Sequence, residues 1–428
     1  MKTIIHKLGG GIIQNGSGID DIDRISASYD QPQLHVFSAL RGMTDVLKEY
    51  SDTRDEVTLA SVLGIYNCAG DRWIKGNHYQ DSFNKVLGDI HKEAAHSKNT
   101  DEILSVGERL ATELYYHHKK SIGAEIGKVN FDKNSTESFP IMCTDFKEDA
   151  DILLGKSKER IGIVRECLEK YGECATPGFI GVTEAGEIRT LGRGGTDDSA
   201  IFYAHAFGSE EVNLWKETEG LRTADPKIIK STKLVDYASY SEVNNMSKFG
   251  AKIVQHKSSK LAKETGVMIR IPYIKNPGIF TIVNGQEKKE KHLVKYVGGN
   301  NDAFLMETDF DEMLRIREMC REQNMKHDFH TVGSNYESAR PVVLNSKKSF
   351  SGGKPFGVVA LVGDKLKETS GVLLKAAVVA DREGINIEDF ASGGGRESYM
   401  FFLCSRDNTN SLIRAFHEEF IEKDPSWN

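Results

Sequence analysis

The chain has 428 residues, 39% of them hydrophobic and 28% charged, so it holds enough apolar material for real cores and is not a disordered chain. At ~150 residues per domain this length fits two or three domains. Its 56 Lys and Arg stand against 63 Asp and Glu, a net charge of −7, which argues against a dedicated nucleic-acid binder. No apolar run approaches the ~18 residues of a membrane span. The opening MKTIIHKLGGGIIQNG has one short apolar patch interrupted by His6 and Lys7, and is not expected to act as a secretory signal. Cys68, Cys143, Cys167, Cys174, Cys320 and Cys404 are dispersed without a CxxC pair. They suit a reducing cytoplasm better than a disulfide framework or a zinc site.

Strand and helix signals alternate from the start. Thr3–Lys7 reads as a buried strand running into Gly9-Gly10-Gly11, and Leu34–Leu40 as a second strand ending in a turn. Residues 101–122 carry apolar side chains at helical spacing, with Asp101 and Glu102 suited to the helix start. Arg160–Tyr171 is a further helix, and Gly178–Val182 and Glu211–Trp215 are short apolar strands. This rhythm predicts an α/β domain with a largely parallel sheet over residues 1–285. The polar stretch Asn284–Lys291 then reads as a solvated linker, and the Gly-, Ser- and Lys-rich stretch Asn345–Pro355 as a flexible joint. After that joint come a strand (Phe356–Val362), a helix (Ser370–Glu383), two strands (Ile385–Phe390 and Ser398–Cys404) and a helix (Asn410–Glu422). That is a small ferredoxin-like βαββα unit. Residues 291–344 show a weaker version, with strands at His292–Tyr296, Ala303–Glu307 and His327–Val332 and a helix at Asp311–Gln323. The expected C-terminal region, 286–428, therefore holds two units, about 291–344 and 356–424.

Three glycine-bearing points carry chemistry. Lys7-Leu8-Gly9-Gly10-Gly11 follows a strand: glycines let backbone N–H groups approach an anion, and the lysine adds charge. By itself it reads equally as a tight strand-to-helix turn. It is neither GxxxxGK[ST] nor GxGxxG. Leu191-Gly192-Arg193-Gly194-Gly195-Thr196-Asp197-Asp198-Ser199 sets an arginine fork among glycines, before a hydroxyl and two carboxylates at a helix start. Such a fork grips a carboxylate or phosphate, and a carboxylate so placed orders a lysine or a metal. The plainer alternative is a helix cap made by Thr196 and Asp197. Phe249-Gly250-Ala251-Lys252 follows a polar helix and joins Trp215–Lys227, with its Asp225-Pro226 turn, as a candidate nucleotide site at strand ends.

Taken in order, these segments resemble the aspartate kinases of the amino-acid kinase superfamily. The resemblance rests on Lys7-Leu8-Gly9-Gly10, Ser38–Asp45 (SALRGMTD), Ser105–Leu110 (SVGERL), Gly178–Ala200, and Trp215 through Asp225-Pro226-Lys227 to Phe249-Gly250-Ala251-Lys252. It continues into 356–422, where Val362-Gly363-Asp364 and Gly384-Ile385-Asn386-Ile387 look like an ACT regulatory domain. It implies an αβα sandwich followed by tandem ferredoxin-like (βαββαβ) ACT units. It also implies transfer of the γ-phosphoryl group of ATP, carried with Mg2+, to the side-chain carboxylate of L-aspartate. The product is 4-phospho-L-aspartate, the first step toward lysine, methionine and threonine.

Carried over residue by residue, the resemblance makes Lys7, Asp197 and Lys252 catalytic. Ser38, Thr44, Glu108, Arg193, Gly194 and Thr196 become substrate-binding, with Arg193 on the α-carboxylate and Glu108 on the α-ammonium. Gly9, Gly10, Glu217, Arg222 and Lys227 become nucleotide-binding, and Asp197 orients Lys7 or holds magnesium. The attacking carboxylate is already ionised at neutral pH, so no strong base is needed. His6, His205 and His256 read as structural or exposed. The departures cluster on the nucleotide side. Gly11-Ile12 stands where the family has Thr-Ser, Lys216-Glu217 where it has Thr-Asp, Arg222 where it has an aromatic, and Lys227 where it has Arg. They support an alternative, a catalytically weakened homologue that senses an amino acid. The resemblance further implies a cytoplasmic homodimer or larger homo-oligomer paired through its ACT units and fed back upon by lysine or threonine. The unit at 291–344 lacks the Gly-rich turn of an effector site.

Overall fold

The structure, a computed structural model, describes residues 2–14, 18–129, 131, 135–251, 253–285, 291–305, 315, 318, 328–332, 340–344, 353–366, 368–393 and 398–427. The chain divides into two compact units, Met1–Gly220 with Lys260–Asn284, and Leu221–Ser259 with Gly285–Asn428.

The first unit begins with β1 (Ile4–Leu8), α1 (Gly10–Gln14), α2 (Gly18–Ser26), β2 (Gln33–Phe37) and α3 (Met43–Thr53). Then come α4 (Glu56–Trp73), α5 (Asn77–His96), α6 (Thr100–Leu104) and α7 (Val106–Ser121). It continues through β3 (Gly127–Lys128), α8 (Leu154–Glu159), α9 (Gly162–Tyr171), β4 (Glu173–Pro177), the β5–β6 hairpin (Ile180–Val182, Ile188–Thr190), α10 (Gly195–Phe207) and β7 (Glu211–Trp215). The second unit takes β8 (Leu221–Arg222), β9 (Leu234–Val235), β10 (Tyr237–Ser239) and α11 (Tyr240–Lys248). The helix α12 (His256–Thr265) spans the division, and β11 (Met268–Tyr273) and β12 (Asn276–Asn284) return to the first unit.

Within the first unit the sheet runs β12-β11-β7-β1-β2-β4-β3, parallel except for the β11–β12 hairpin. Parallel strands need both faces covered, which is why β2 is buried at every residue and β1 at all but its first. Leu8, Phe37, Leu47, Tyr66, Phe83, Leu110, Tyr115 and Trp215 form the core. The helices α3, α4 and α5 are not among the elements expected from the sequence. Asp55 starts α4 by accepting the N–H groups of Val57 and Thr58, a cap that was available in the sequence. The helix expected over 101–122 is two helices, because Ser105 turns back to donate its hydroxyl to the Glu102 carbonyl at 2.6 Å. The cysteines need a correction as well: Cys167 in α9 and Cys174 in β4 are joined as a disulfide, because helix and strand bring seven-residue neighbours together.

The second unit adds β13 (Tyr296–Leu305), β14 (Asp328–Val332), β15 (Arg340–Leu344), β16 (Lys354–Val362), α13 (Val372–Arg382), β17 (Asp389–Ser392), β18 (Tyr399–Cys404) and α14 (Thr409–His417). Its antiparallel sheet runs β14-β15-β13-β16-β18-β17 over a core of Val297, Val359, Leu361, Ala376, Phe402, Leu412 and Phe416. The βαββα order expected after the joint is present as β16, α13, β17, β18 and α14. Two strands expected at His292–Tyr296 and Ala303–Glu307 are instead the single strand β13, with an irregularity between Asn300 and Ala303. Gly298-Gly299 and the polar run after it hid that continuity, and the pairing with β16 restores it. The helix expected at Asp311–Gln323 and most of the two polar joints lie outside the described residues.

Candidate active site

In the first unit β1 lies between β2, its successor, and β7, which arrives about two hundred residues later. Connections leave it toward opposite edges of the sheet, and such a switch point opens a crevice at the carboxyl ends of the strands. Lys7 is the penultimate residue of β1 and points to Asp197 in the first turn of α10: Nζ lies 2.9 Å from Oδ1. Lys216, the residue after β7, brings a second ammonium to the same carboxylate, 3.4 Å from Oδ2. Burial pushes the Asp197 carboxyl up, but Lys216 and Lys7 together outweigh it and hold the group below its ordinary value. Burial lowers the Lys216 ammonium, with Asp197 opposing.

The glycine loop after β1 sits tight against its neighbour. A side chain at Gly10 would begin 1.8 Å from the Ala39 carbonyl oxygen, so only glycine lets the loop after β1 meet the loop after β2. A side chain at Gly11 would strike the ion pair between Arg41 and Glu217, which fills that space. The departures at Gly11 and Glu217 are therefore mutually fitted.

Glu108 reaches the same loops from α7. Its Oε1 accepts the Ala39 N–H at 3.0 Å. Its Oε2 is buried and, among the described residues, has no hydrogen-bond partner. Burial pushes this carboxyl up to about 8, against the Ala39 N–H and the nearby charge of Lys7. Gly107 makes the approach possible, since a Cβ there would lie 2.5 Å from that of Ala39. Tyr66 locks the junction by accepting the Leu40 N–H at 3.0 Å and donating to the Gly107 carbonyl at 2.7 Å. Nothing in the sequence singled out Tyr66, which needs the α4–α7 contact to be seen, and Lys216 stood out only as a departure from the family's pattern until the shared carboxylate gave it a place.

Ser38, half-buried, follows β2 and donates its N–H to the Leu8 carbonyl at 3.1 Å, and half-buried Thr44 lies in the first turn of α3. Gly194 caps α10 in the left-handed region at φ 89°, followed by buried Thr196. Arg193 is exposed just before that helix. Beneath the crevice, the Trp215 indole donates to His6 at 3.0 Å, His6 stacks on His35, and His35 Nε2 lies 3.0 Å from Glu173. Burial, then His35, keeps His6 well below its ordinary pKa, so the neutral ring serves as scaffold. Arg222 and Lys227 belong to the second unit. The Arg222 guanidinium is engaged by the Thr232 hydroxyl at 3.1 Å and by its carbonyl. Lys227 is exposed in the Asp225 turn. Lys252 lies outside the described residues.

The model of the amino acid kinase family matches residues 2–271. The chain belongs to that family. It is also similar to aspartokinase 3, chloroplastic, of Arabidopsis thaliana, with 21% identity over 479 aligned positions covering 99% of this chain and 82% of the relative. Among solved structures, E. coli aspartokinase III in complex with aspartate and ADP (R-state) matches with TM-score 0.80 and 20% identity, covering 97% of this chain and 99% of that one. The same enzyme in complex with lysine and aspartate (T-state) matches with TM-score 0.77 and 19% identity over 98% and 100%. At these identities the likeness to solved structures is one of fold. It is the fold expected from the sequence, an α/β domain with a parallel central sheet followed by C-terminal domains.

Proposed function

We propose that this kinase phosphorylates the side-chain carboxylate of L-aspartate with ATP. A carboxylate oxygen of aspartate attacks the γ-phosphorus, the bond to the β,γ-bridging oxygen breaks, and ADP leaves with that electron pair. No proton needs to be removed from the nucleophile, and the two lysines on Asp197 supply positive charge for the transferring group. The observation that carries the reading is the unsatisfied Glu108 Oε2, buried beside the Lys7–Asp197 pair. Burial keeps this carboxyl protonated up to about 8, and an α-ammonium brings the donors that its ionised form lacks. Arg193 takes the α-carboxylate, and Ser38, Thr44, Gly194 and Thr196 complete the amino-acid pocket.

The backbone at Gly9 and Gly10 receives the phosphates next to Lys7. Glu217 orders this edge by holding Arg41, and Arg222, Lys227 and Lys252 are the further nucleotide and catalytic positions implied by the resemblance. Magnesium comes with the nucleotide. Asp197 holds Lys7 and Lys216 on its two oxygens and orients these cations.

The region 286–428 acts as a regulatory pair of ACT units and residues 1–285 as the catalytic domain. The chain works in the cytoplasm as a homodimer or larger homo-oligomer, with lysine or threonine as effector. The E. coli relative's lysine complex favours lysine. The described residues include no helix long and apolar enough to cross a membrane. A coupled assay of ADP release from MgATP, with and without aspartate, tests the activity. Aspartate-dependent turnover supports it, and turnover with a different carboxylic acid replaces the substrate. A folded protein that turns over neither, yet binds lysine or threonine, makes the chain a sensor.

A further inference from the structure

Lys216 stands where the family's pattern has a small hydroxyl residue, and its surroundings give it more than the role of a counter-ion. Asp197 needs one cation and has two: Lys7 at 2.9 Å and Lys216 at 3.4 Å. The charges that act on Lys216 are Asp197 and Lys7. The cluster of Lys7, Asp197 and Lys216 therefore carries one surplus positive charge, while its carboxylate retains only 6% side-chain exposure. A surplus charge in so dry a place is unfavourable until an anion arrives.

The base of Lys216 is rigid. Its N–H donates to the Pro272 carbonyl at 3.0 Å and its carbonyl accepts the Ile274 N–H at 2.9 Å, so the chain just past β7 is tied into β11. The neighbouring Trp215 is pinned through its indole to His6. The side chain thus leaves from the carboxyl end of β7, alongside that of β1, and keeps 20% exposure against 11% for Lys7. Glu217, one residue on, pairs with Arg41.

We propose that Lys216 is a phosphate-binding residue of this site, held on Asp197 together with Lys7, and that its ammonium is the charge that receives the nucleotide's terminal phosphates. The inference rests on the phosphoryl-transfer reading of the crevice and adds to it a cation not carried by the family's pattern. It recasts the departure at Lys216 as a gain of phosphate affinity rather than a loss of function. Two ammonium groups flanking the leaving oxygens stabilise charge that grows as the bridging bond breaks.

The test is calorimetric titration of the full chain with MgATP and, separately, with adenosine, for wild type, Lys216→Met and Lys216→Arg, each checked by thermal melting. Adenosine reads the base pocket without phosphates. Lys216→Met should weaken MgATP at least tenfold while leaving adenosine unchanged, and Lys216→Arg should recover most of the loss. Equal affinity of wild type and Lys216→Met for MgATP, or parallel weakening of MgATP and adenosine, would overturn the assignment. Should Lys216→Met fail to fold, Lys216→Gln takes its place under the same criteria. A wild-type chain that binds adenosine but discriminates no phosphates defeats this inference alone. One that binds neither probe and shows no aspartate-dependent ADP release defeats the phosphoryl-transfer reading, and the inference with it.

Discussion

Each compact unit buries a lysine against a carboxylate, and the two clusters are balanced differently. In the second unit Lys295 and Glu242 are 1% and 0% exposed and lie 2.8 Å apart. Glu242 accepts the Ser239 N–H at 2.8 Å, closing a capping box at the start of α11, and the Asp364 N–H at 2.9 Å, while burial and the Asp364 charge push its carboxyl up to about 7 against Lys295. The Lys295 ammonium also sits over the Tyr237 ring at 5.1 Å. Here one ammonium is set on one carboxylate, and both oxygens of that carboxylate have donors. In the first unit two lysines share Asp197, and nearby Glu108 keeps an oxygen without a donor. A closed cluster fastens chain segments; an open one with surplus charge and an unmet acceptor is built for a ligand.

The contrast is broken most severely in the closed cluster. Glu242→Ala strands a buried ammonium and should cost ~3–5 kcal/mol of stability, read as a lower denaturation midpoint. A cost under ~1 kcal/mol would mean that this pair is not a fastening. In the open cluster, Lys7→Ala should instead cost ~10²-fold or more in kcat through lost stabilisation of transition-state charge. Its denaturation midpoint should stay near that of wild type, since Lys216 still balances Asp197. An activity loss below about threefold would remove Lys7 from the mechanism.

A smaller effect sharpens the geometry. Gly107→Ala places a methyl against Ala39, and overpacking of this kind costs ~1–3 kcal/mol. It should appear mainly as a raised KM for aspartate, because Glu108 is displaced with its helix. An unchanged KM would separate Glu108 from the substrate. The mildest effect is a pH dependence. Burial keeps the Glu108 carboxyl protonated up to about 8, and an ammonium ligand prefers the ionised form. Aspartate affinity should therefore rise about tenfold per pH unit at most as pH climbs toward that value, and level off above it. In the absence of aspartate the sign for stability is opposite. The unfolded carboxyl loses its proton near its ordinary value, so this group's contribution declines as pH rises from there to about 8. Glu108→Gln should flatten both profiles; a profile that persists in the variant assigns it to another group.

Much of this was legible in the residues. β1 with its glycine loop and the arginine–glycine run before α10 stand out by local pattern, the Gly-Glu pair on α7 only through the family resemblance, and the structure sets Lys7 on Asp197 and Glu108 against Ala39. What stayed hidden depends on partners distant in sequence. Lys216 looks like a departure until the parallel pairing of β1 with β7 brings it to Asp197. Tyr66 acts through a contact between α4 and α7, and the Cys167–Cys174 bond requires the turn from α9 into β4. The single strand β13 is interrupted in pattern by glycines and polar residues, and only its pairing with β16 marks it as continuous. Local spacing encodes the elements that hold function; long-range pairing decides which side chains share a charge.

The most direct test of the central claim is aspartate-dependent ADP release from MgATP, measured for the wild-type chain beside a folded Asp197→Ala variant. The account predicts saturable turnover that requires aspartate and falls ~10²-fold or more in the variant. Turnover equal in both proteins, or none in a wild-type chain that melts cooperatively, would contradict it.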